Sequence, residues 1–301
     1  MGLPIDDSVA PRPRNYYALD QLAGALGRGL HRGDSAMCVV PDFGEPGLDD
    51  PGGWSLPVGE FPAAIAALVD GHRPSRMPFF AHLAALPRSR ASDPRLLGRI
   101  HLNYQAAMHA TRAAVYFLPH LDSPRLRKRK LQIFIDDDGL PGGDTHHYQL
   151  TRAFRKIGAR CLIDDEGFGE PALLCRCLDG ETADFVRLAP ILYSRSLGPW
   201  CVVEMLSADW MRAFAAALAV HFPAVKDEPY FADCFSGMVE KRHGAEALEV
   251  TQAVLAARPE LLAQSLRDAV LMAKALDGVW IHLDRIVQDA GALGCRGAAP
   301  G

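Results

Sequence analysis

A glutamate and a histidine three positions apart, Glu240 and His243, are the residues whose types and spacing first suggest chemistry in this chain. They belong to the stretch YFADCFSGMVEKRHGAEALEV, residues 230–250, which has helical spacing. Residues three apart share one face of a helix, so this carboxylate and this imidazole can reach one metal ion together. Such Glu-x-x-His pairs supply half of the ligands of carboxylate-bridged metal sites in helix bundles. The pair also fits a solvated helix face, so a metal site requires partners from other segments.

Glu204 is the next acidic candidate, because it lies in the predicted helix of residues 200–222 with apolar neighbours on both sides, in CVVEML. A buried carboxylate without a partner is destabilised by several kcal/mol. We therefore expect Glu204 to have a strong partner or to bind a ligand.

Histidines on two further predicted helices complete the set of candidates. The first helix, residues 95–118, carries polar side chains four residues apart on one face, and these are His101, Gln105 and His109. That face either lines a cavity or holds polar and core positions with hydrogen-bond partners. The second helix is capped at Asp144 or Thr145 and opens with His146 and His147.

Helical spacing continues along most of the chain, and no segment is rich in strand signals. The sequence contains no internal repeat and no P-loop, G-x-G-x-x-G or G-x-S-x-G motif. It predicts an all-α protein in three parts. They are an N-terminal extension with short helices and a Gly/Pro-rich connector (1–90), a helical domain (91–290) and a flexible tail (291–301).

Composition narrows the class of protein. At 301 residues, 49% of them hydrophobic, the chain can bury a large core. The formal net charge of −4 argues against general nucleic-acid binding, and no apolar run approaches the roughly 18 residues of a membrane span. The seven scattered cysteines lack the C-x2-C spacing of a structural zinc site, and the N-terminus lacks the pattern of a signal peptide. We therefore expect a protein of the reducing cytoplasm.

One basic run stands out, RLRKRK from Arg125 to Lys130. Such a run is typical of a solvated helix face. The functional interpretation is a docking patch for an anionic substrate or an acidic carrier protein.

Taken in order, the candidates resemble the ligands of the heme-oxygenase-like oxidases, iron-containing redox enzymes that build a non-haem di-iron site in a helical bundle. DDDG at 136–139, followed by HYQLTRAF from His147, is similar to the family's D-E-x-G and H-x-x-L-x-x-x-F motifs. LG at 197–198, followed by EMLS from Glu204, resembles its L-G and E-x-x-S helix. EKRHG from Glu240 resembles the end of its H-x-x-x-D-x-x-H-G helix.

The resemblance implies a heme-oxygenase-like bundle in which iron activates O2 to oxidise a small amino-acid-, amine- or acyl-type substrate in specialised metabolism. It implies that Glu204, Glu240 and His243 are catalytic. The implied metal ligands are Asp137, His147, Glu204, Glu240 and His243. Side chains around these ligands, or in place of missing ones, are Gln105, His109, His146, Ser207, Tyr230 and Ser236. A homodimer is the common state of such bundles.

The chain departs from the family pattern at several positions. Ser236 stands where the family has a histidine, Glu240 replaces the usual aspartate and Asp137 the usual glutamate. The predicted helix of residues 95–118 contains no acid, so glutamine or histidine would take the place of another glutamate. These departures favour three alternatives: a mononuclear site, a metal-independent enzyme of the pyrroloquinoline-quinone synthase type, or a non-catalytic member of the fold.

Overall fold

Helices make up all of the regular secondary structure in the residues that the computed structural model describes, 57–138, 144–162, 178, 180–236 and 238–295. Side chains are described for residues 57–136, 144–162, 178, 180–232 and 241–289. The prediction of an all-α protein is confirmed for this part of the chain. Residues 16–30, whose helical spacing predicts a first short helix of the N-terminal extension, lie outside it. None of the described helices is long and apolar enough to cross a membrane.

Eleven α-helices lie in the described residues. They are α1 (Phe61–Gly71), α2 (Pro78–Ala85), α3 (Arg88–Ala91), α4 (Pro94–Ala110), α5 (Pro124–Asp138), α6 (His146–Lys156), α7 (Gly180–Arg195), α8 (Gly198–His221), α9 (Pro229–Ser236), α10 (Met238–Ala257) and α11 (Leu262–Cys295). The last helix therefore extends into the residues predicted as a tail.

Capping chemistry explains where two of these helices begin. The carboxylate of Asp93 accepts a hydrogen bond from the backbone N–H of Arg95, and Pro94 occupies the first helical position of α4. The hydroxyl of Thr145 accepts a hydrogen bond from the backbone N–H of Tyr148 at 3.1 Å, at the start of α6. The helix predicted from residue 95 therefore begins at Pro94, and the cap of α6 is the threonine of the two predicted candidates.

The first long helix ends earlier than predicted. Its α-helical geometry stops at Ala110, and the chain continues as a tighter 3₁₀ helix, Thr111–His120. The hydroxyl of Thr111 donates to the carbonyl of Met108 at 2.6 Å at this junction. Side-chain bonds of this kind offer the backbone an alternative to the regular helical pattern.

Helices α8 and α11 lie at the centre of the fold. Helix α8 packs against α10, α11 and α2, and α11 also packs against α7, α2 and α4. The ring of Trp280 in α11 is fully buried, 5.1 Å from the ring of Phe80 and 6.0 Å from that of Tyr104. Phe61 and Phe79 are also fully buried, so α1 and α2, which the sequence assigns to the N-terminal extension, contribute to this core.

Two glycines let neighbouring helices approach closely. A Cβ atom at Gly198 would lie 1.8 Å from the carbonyl oxygen of Ser265 in α11. A Cβ atom at Gly244 would lie 3.2 Å from the Cα of Met205 and 3.3 Å from the carbonyl oxygen of Glu204. The glycine after His243 therefore allows α10 to lie directly against the turn of α8 that carries Glu204.

Candidate functional site

A cavity of about 100 Å³ lies between α4, the 3₁₀ helix that follows it, α5, α6, α8 and α9. A water needs about 10–15 Å³ of such space, so the cavity can hold several waters or one small organic molecule. Seven of the residues predicted for the site line it: Gln105, His109, His146, His147, Glu204, Ser207 and Tyr230. Four segments that are distant in sequence thus supply one surface.

Gln105 and His147 form a buried polar pair on one wall. The side-chain amide of Gln105 donates to Nδ1 of His147, and the ring of His109 lies 6.0 Å from the ring of His147. Burial, together with the nearby charges of Arg112 and His147, holds the pKa of His109 well below its ordinary value. His109 is therefore neutral at pH 7.

His101, on the same predicted face, is a core histidine. Its Nε2 lies 3.1 Å from the hydroxyl of Thr151, and the side chain is fully buried. Burial, with smaller contributions from His147 and Arg155, lowers the pKa of His101 to about 3. Of the two interpretations left open by the sequence, the cavity applies to Gln105 and His109, and the core position applies to His101.

Glu204 has two partners. The indole N–H of Trp200, one turn earlier in α8, donates to Oε1 of Glu204 at 3.0 Å. Nδ1 of His243, from α10, lies 3.9 Å from Oε2. The Glu204 side chain is 12% exposed and that of His243 is 1% exposed, so little water reaches this pair.

His243 also contacts Asp136, in α5, with Nε2 lying 3.2 Å from Oδ2. Arg242 donates to the same oxygen at 2.7 Å. Burial opposes ionisation of Asp136, but hydrogen bonds from Gln132 and His243 and the charge of Arg242 outweigh it and hold the pKa of Asp136 below its ordinary value. Asp136, His243 and Glu204 therefore form a line of carboxylate, imidazole and carboxylate that ends at the cavity.

Tyr230 and His146 lie together on the wall formed by α9 and α6. Their rings meet edge to face at 5.7 Å. The hydroxyl of Tyr230 lies 2.7 Å from that of Tyr104, which accepts a hydrogen bond from the indole of Trp210 at 3.2 Å. Ser207 donates to the backbone carbonyl of Glu204 at 2.8 Å, so its hydroxyl is used within α8.

Lys130 is one of the cavity residues that the sequence interpretation missed. It belongs to the basic run, yet it is only 3% exposed and lines the cavity, with Nζ 3.6 Å from the centroid of the Trp200 ring. No hydrogen-bond acceptor among the described residues reaches Nζ. Burial lowers the pKa of Lys130 to about 7, against the opposing effects of Glu204 and Cys201.

A periodic signal for Lys130 is present in the sequence. Positions 126, 130, 133 and 134 recur at helical spacing, and the other three are apolar. Arg125 and Lys128 are exposed, so the prediction of a solvated basic face holds for them and is wrong for Lys130.

Three residues of the predicted site have side chains outside the described part of the chain, and these are Asp137, Ser236 and Glu240. Among the described side chains, no group of three or more His, Cys, Asp and Glu is placed to hold a metal ion. The described part of the predicted ligand set is therefore His147, Glu204 and His243.

Comparison with models of protein families, with characterised proteins and with solved structures finds no match to this chain.

Proposed function

We propose that the chain is an oxidoreductase of the heme-oxygenase-like type, which uses O2 to oxidise a small amino-acid-, amine- or acyl-type substrate in the cavity. One observation supports this proposal above all. Gln105, His147 and Glu204, which the family resemblance selects from three separate segments, line the same cavity, and His243 lies beside Glu204.

The donor types in the cavity fit non-haem iron, since imidazole and carboxylate together are typical ligands of Fe(II). His147, Glu204 and His243 are not placed to hold an ion by themselves, so they would hold it together with Glu240 and Asp137, the further ligands expected from the sequence. For His147 to bind iron through Nε2, Nδ1 would have to carry the ring proton, and the Gln105 amide would turn so that its Oε1 accepts that proton. Bound iron would supply the activation of O2.

Other residues of the chain would orient the reacting groups. Asp136, ionised at pH 7, fixes the ring of His243 through Nε2 and turns Nδ1 towards Glu204. Trp200 fixes Oε1 of Glu204. Apolar side chains cover much of the remaining surface, and they include Met108, Val115, Leu118, Ile133, Phe134 and Trp210.

A metal-independent enzyme of the pyrroloquinoline-quinone synthase type is the second candidate, and Lys130 is the observation that favours it. A buried amine with a pKa of about 7 can give or take a proton at neutral pH. Together with the neutral imidazole of His109 on the same cavity, it provides acid and base groups without a metal ion.

Metal content and O2 consumption distinguish these candidates. Protein supplied with Fe(II) under anaerobic conditions is expected to retain one or two irons per chain, measured by mass spectrometry of the metal, and to consume O2 when substrate is added. Glu204→Gln should lose iron affinity by more than about tenfold, the smallest effect typical of altered metal sites. Glu249→Gln, an exposed position on α10, should bind iron like the wild type.

Two results would redirect the assignment. Substrate turnover by protein that retains no iron would favour the metal-independent candidate. Equal iron binding by wild type and Glu204→Gln would remove Glu204 from the ligand set and contradict the proposed site.

A further inference from the structure

We propose that Lys130 binds the anionic head group of the substrate, so that the cavity selects small amphiphilic anions, carboxylates in particular, over neutral or cationic molecules of the same size. This inference rests on the proposed function only in taking the cavity as the substrate site.

The ammonium group of Lys130 has hydrogen-bond donors that no described residue satisfies. A lysine ammonium has three donors and no acceptor. Here the side chain is 3% exposed, and none of its donors reaches an acceptor in the described residues. A buried polar group in this state is destabilising, and the free energy is recovered when a ligand supplies the missing acceptor. An oxygen anion supplies both acceptors and the opposite charge.

The amine of Lys130 is held at the cavity wall by the Trp200 ring. Nζ lies 3.6 Å from the centroid of the Trp200 ring, within the range of a cation–π contact. That contact holds the amine at the cavity wall and still leaves its N–H donors without oxygen acceptors. Glu204 influences Lys130 through its charge, but its own Oε1 accepts from the indole N–H of Trp200. The amine therefore contacts the face of the indole ring, and the carboxylate contacts its N–H edge.

The other residues that line the cavity restrict the part of the ligand that lies beyond its anionic head group. The cavity wall is apolar on α5, through Ile133 and Phe134, while the 3₁₀ helix supplies Val115 and Leu118 together with the polar Thr111 and Arg112. The cavity of about 100 Å³ limits this part of the ligand to a short chain or a single ring. A short aliphatic or aromatic chain that ends in a carboxylate matches both features.

A purely structural role explains Lys130 less well. A buried charged group without a partner can usually be replaced by an apolar side chain of similar volume without loss of stability. A lysine that only filled this space would be less stable there than methionine. The position therefore fits a ligand-binding residue.

Binding of three six-carbon probes to metal-free protein tests the inference. Hexanoate, 1-hexanol and hexylamine share a body and differ in charge. Trp200 and Trp210 both line the cavity, so tryptophan fluorescence reports binding. At pH 7 we expect hexanoate to bind about tenfold more tightly than 1-hexanol, the size of effect typical of one hydrogen bond to a charged group. Lys130→Met should bind the two equally.

Lys128→Met is the matched control, because Lys128 is an exposed lysine on the same helix, two residues earlier. It should keep the wild-type preference for hexanoate. Thermal unfolding of Lys130→Met without ligand checks that the variant is folded, and a folded variant is expected because the change removes a buried amine. The inference is wrong if Lys130→Met keeps the preference, if 1-hexanol or hexylamine binds wild type as tightly as hexanoate, or if hexanoate does not bind at millimolar concentration. Since neither iron nor O2 takes part, failure here is separate from failure of the oxidase proposal.

Discussion

The burial of Lys130 has a measurable consequence for the pH dependence of stability. Its pKa falls from an ordinary value of 10.5 to about 7 in the native protein. Between these two pH values the unfolded chain holds a proton that the native protein has released. The free energy of unfolding therefore rises with pH across this window, and below it both states are protonated and the contribution is constant.

The magnitude follows from the two pKa values. Each pKa unit corresponds to about 1.4 kcal/mol, and the native amine is half protonated at about pH 7. From about pH 7 to about pH 9 the wild type should gain about 2 kcal/mol of unfolding free energy from this group alone. Lys130→Met has no titrating amine and should lack this gain, so its stability advantage over the wild type should shrink by the same amount.

Urea unfolding of metal-free protein, followed by far-ultraviolet circular dichroism at several pH values, measures this difference. Comparison of the two proteins at each pH cancels the titration of all other groups. Lys128→Met, at an exposed position, should follow the wild type throughout. If the difference between wild type and Lys130→Met stays constant from pH 7 to pH 9, the amine is hydrated or paired in the native protein. The basis for an anion-binding lysine would then be lost.

Three further outcomes test the packing and the local chemistry. Gly198→Ala should lower the free energy of unfolding by about 3 kcal/mol, because the added Cβ would overlap a backbone oxygen of α11. Gly71→Ala is the control, because residue 71 has open space around it, and it should change this free energy by less than about 0.5 kcal/mol. Equal effects of Gly198→Ala and Gly71→Ala on urea unfolding would contradict the close approach of α8 and α11. Thr145→Ala should lower the free energy of unfolding by about 1 kcal/mol in the same assay, because the α6 cap is lost. Thr145→Ser should keep most of the stability that the cap provides. Burial raises the pKa of Cys201 to about 12, so iodoacetamide at about pH 8 should modify the partly exposed Cys161 and spare Cys201, as read by peptide mass spectrometry.

The sequence anticipates those parts of the site that depend on one helix at a time. Gln105 and His109 are one turn apart on α4, and helical periodicity alone places them on a common face. The apolar neighbours of Glu204 predict a partner for its carboxylate, and Trp200 and His243 lie against it. Periodicity does not reveal that His101, on the same face of α4, reaches Thr151 of α6 instead of the cavity.

Lys130 shows why charge can hide a buried position. The apolar spacing through Leu126, Ile133 and Phe134 includes it, but the surrounding arginines and lysines favour a solvated interpretation of the whole run. A helix exposes only part of its circumference, so consecutive charged residues cannot all point into solvent when the helix packs on others. Arg129 pairs with Glu249 on α10 at 2.6 Å, while the next residue faces inward.

The carboxylate that contacts His243 depends on tertiary packing. It belongs to Asp136 on α5, which the sequence does not single out. Adjacent residues on a helix point about 100° apart, so the rotation of α5 against α10 decides which of its side chains reaches the histidine. No local pattern carries that information.

Trp200 links the two chemical hypotheses for the cavity. Its N–H donates to Glu204 at 3.0 Å, and its ring face lies 3.6 Å from the amine of Lys130. A direct ion pair between these residues would use each charge to neutralise the other and would weaken the attraction of either for a ligand. Trp200 instead contacts the amine with its ring face and the carboxylate with its N–H edge, so one indole holds both groups in place at different points. An anionic head group bound by Lys130 would therefore lie over the face of this ring and not at the edge that Glu204 occupies.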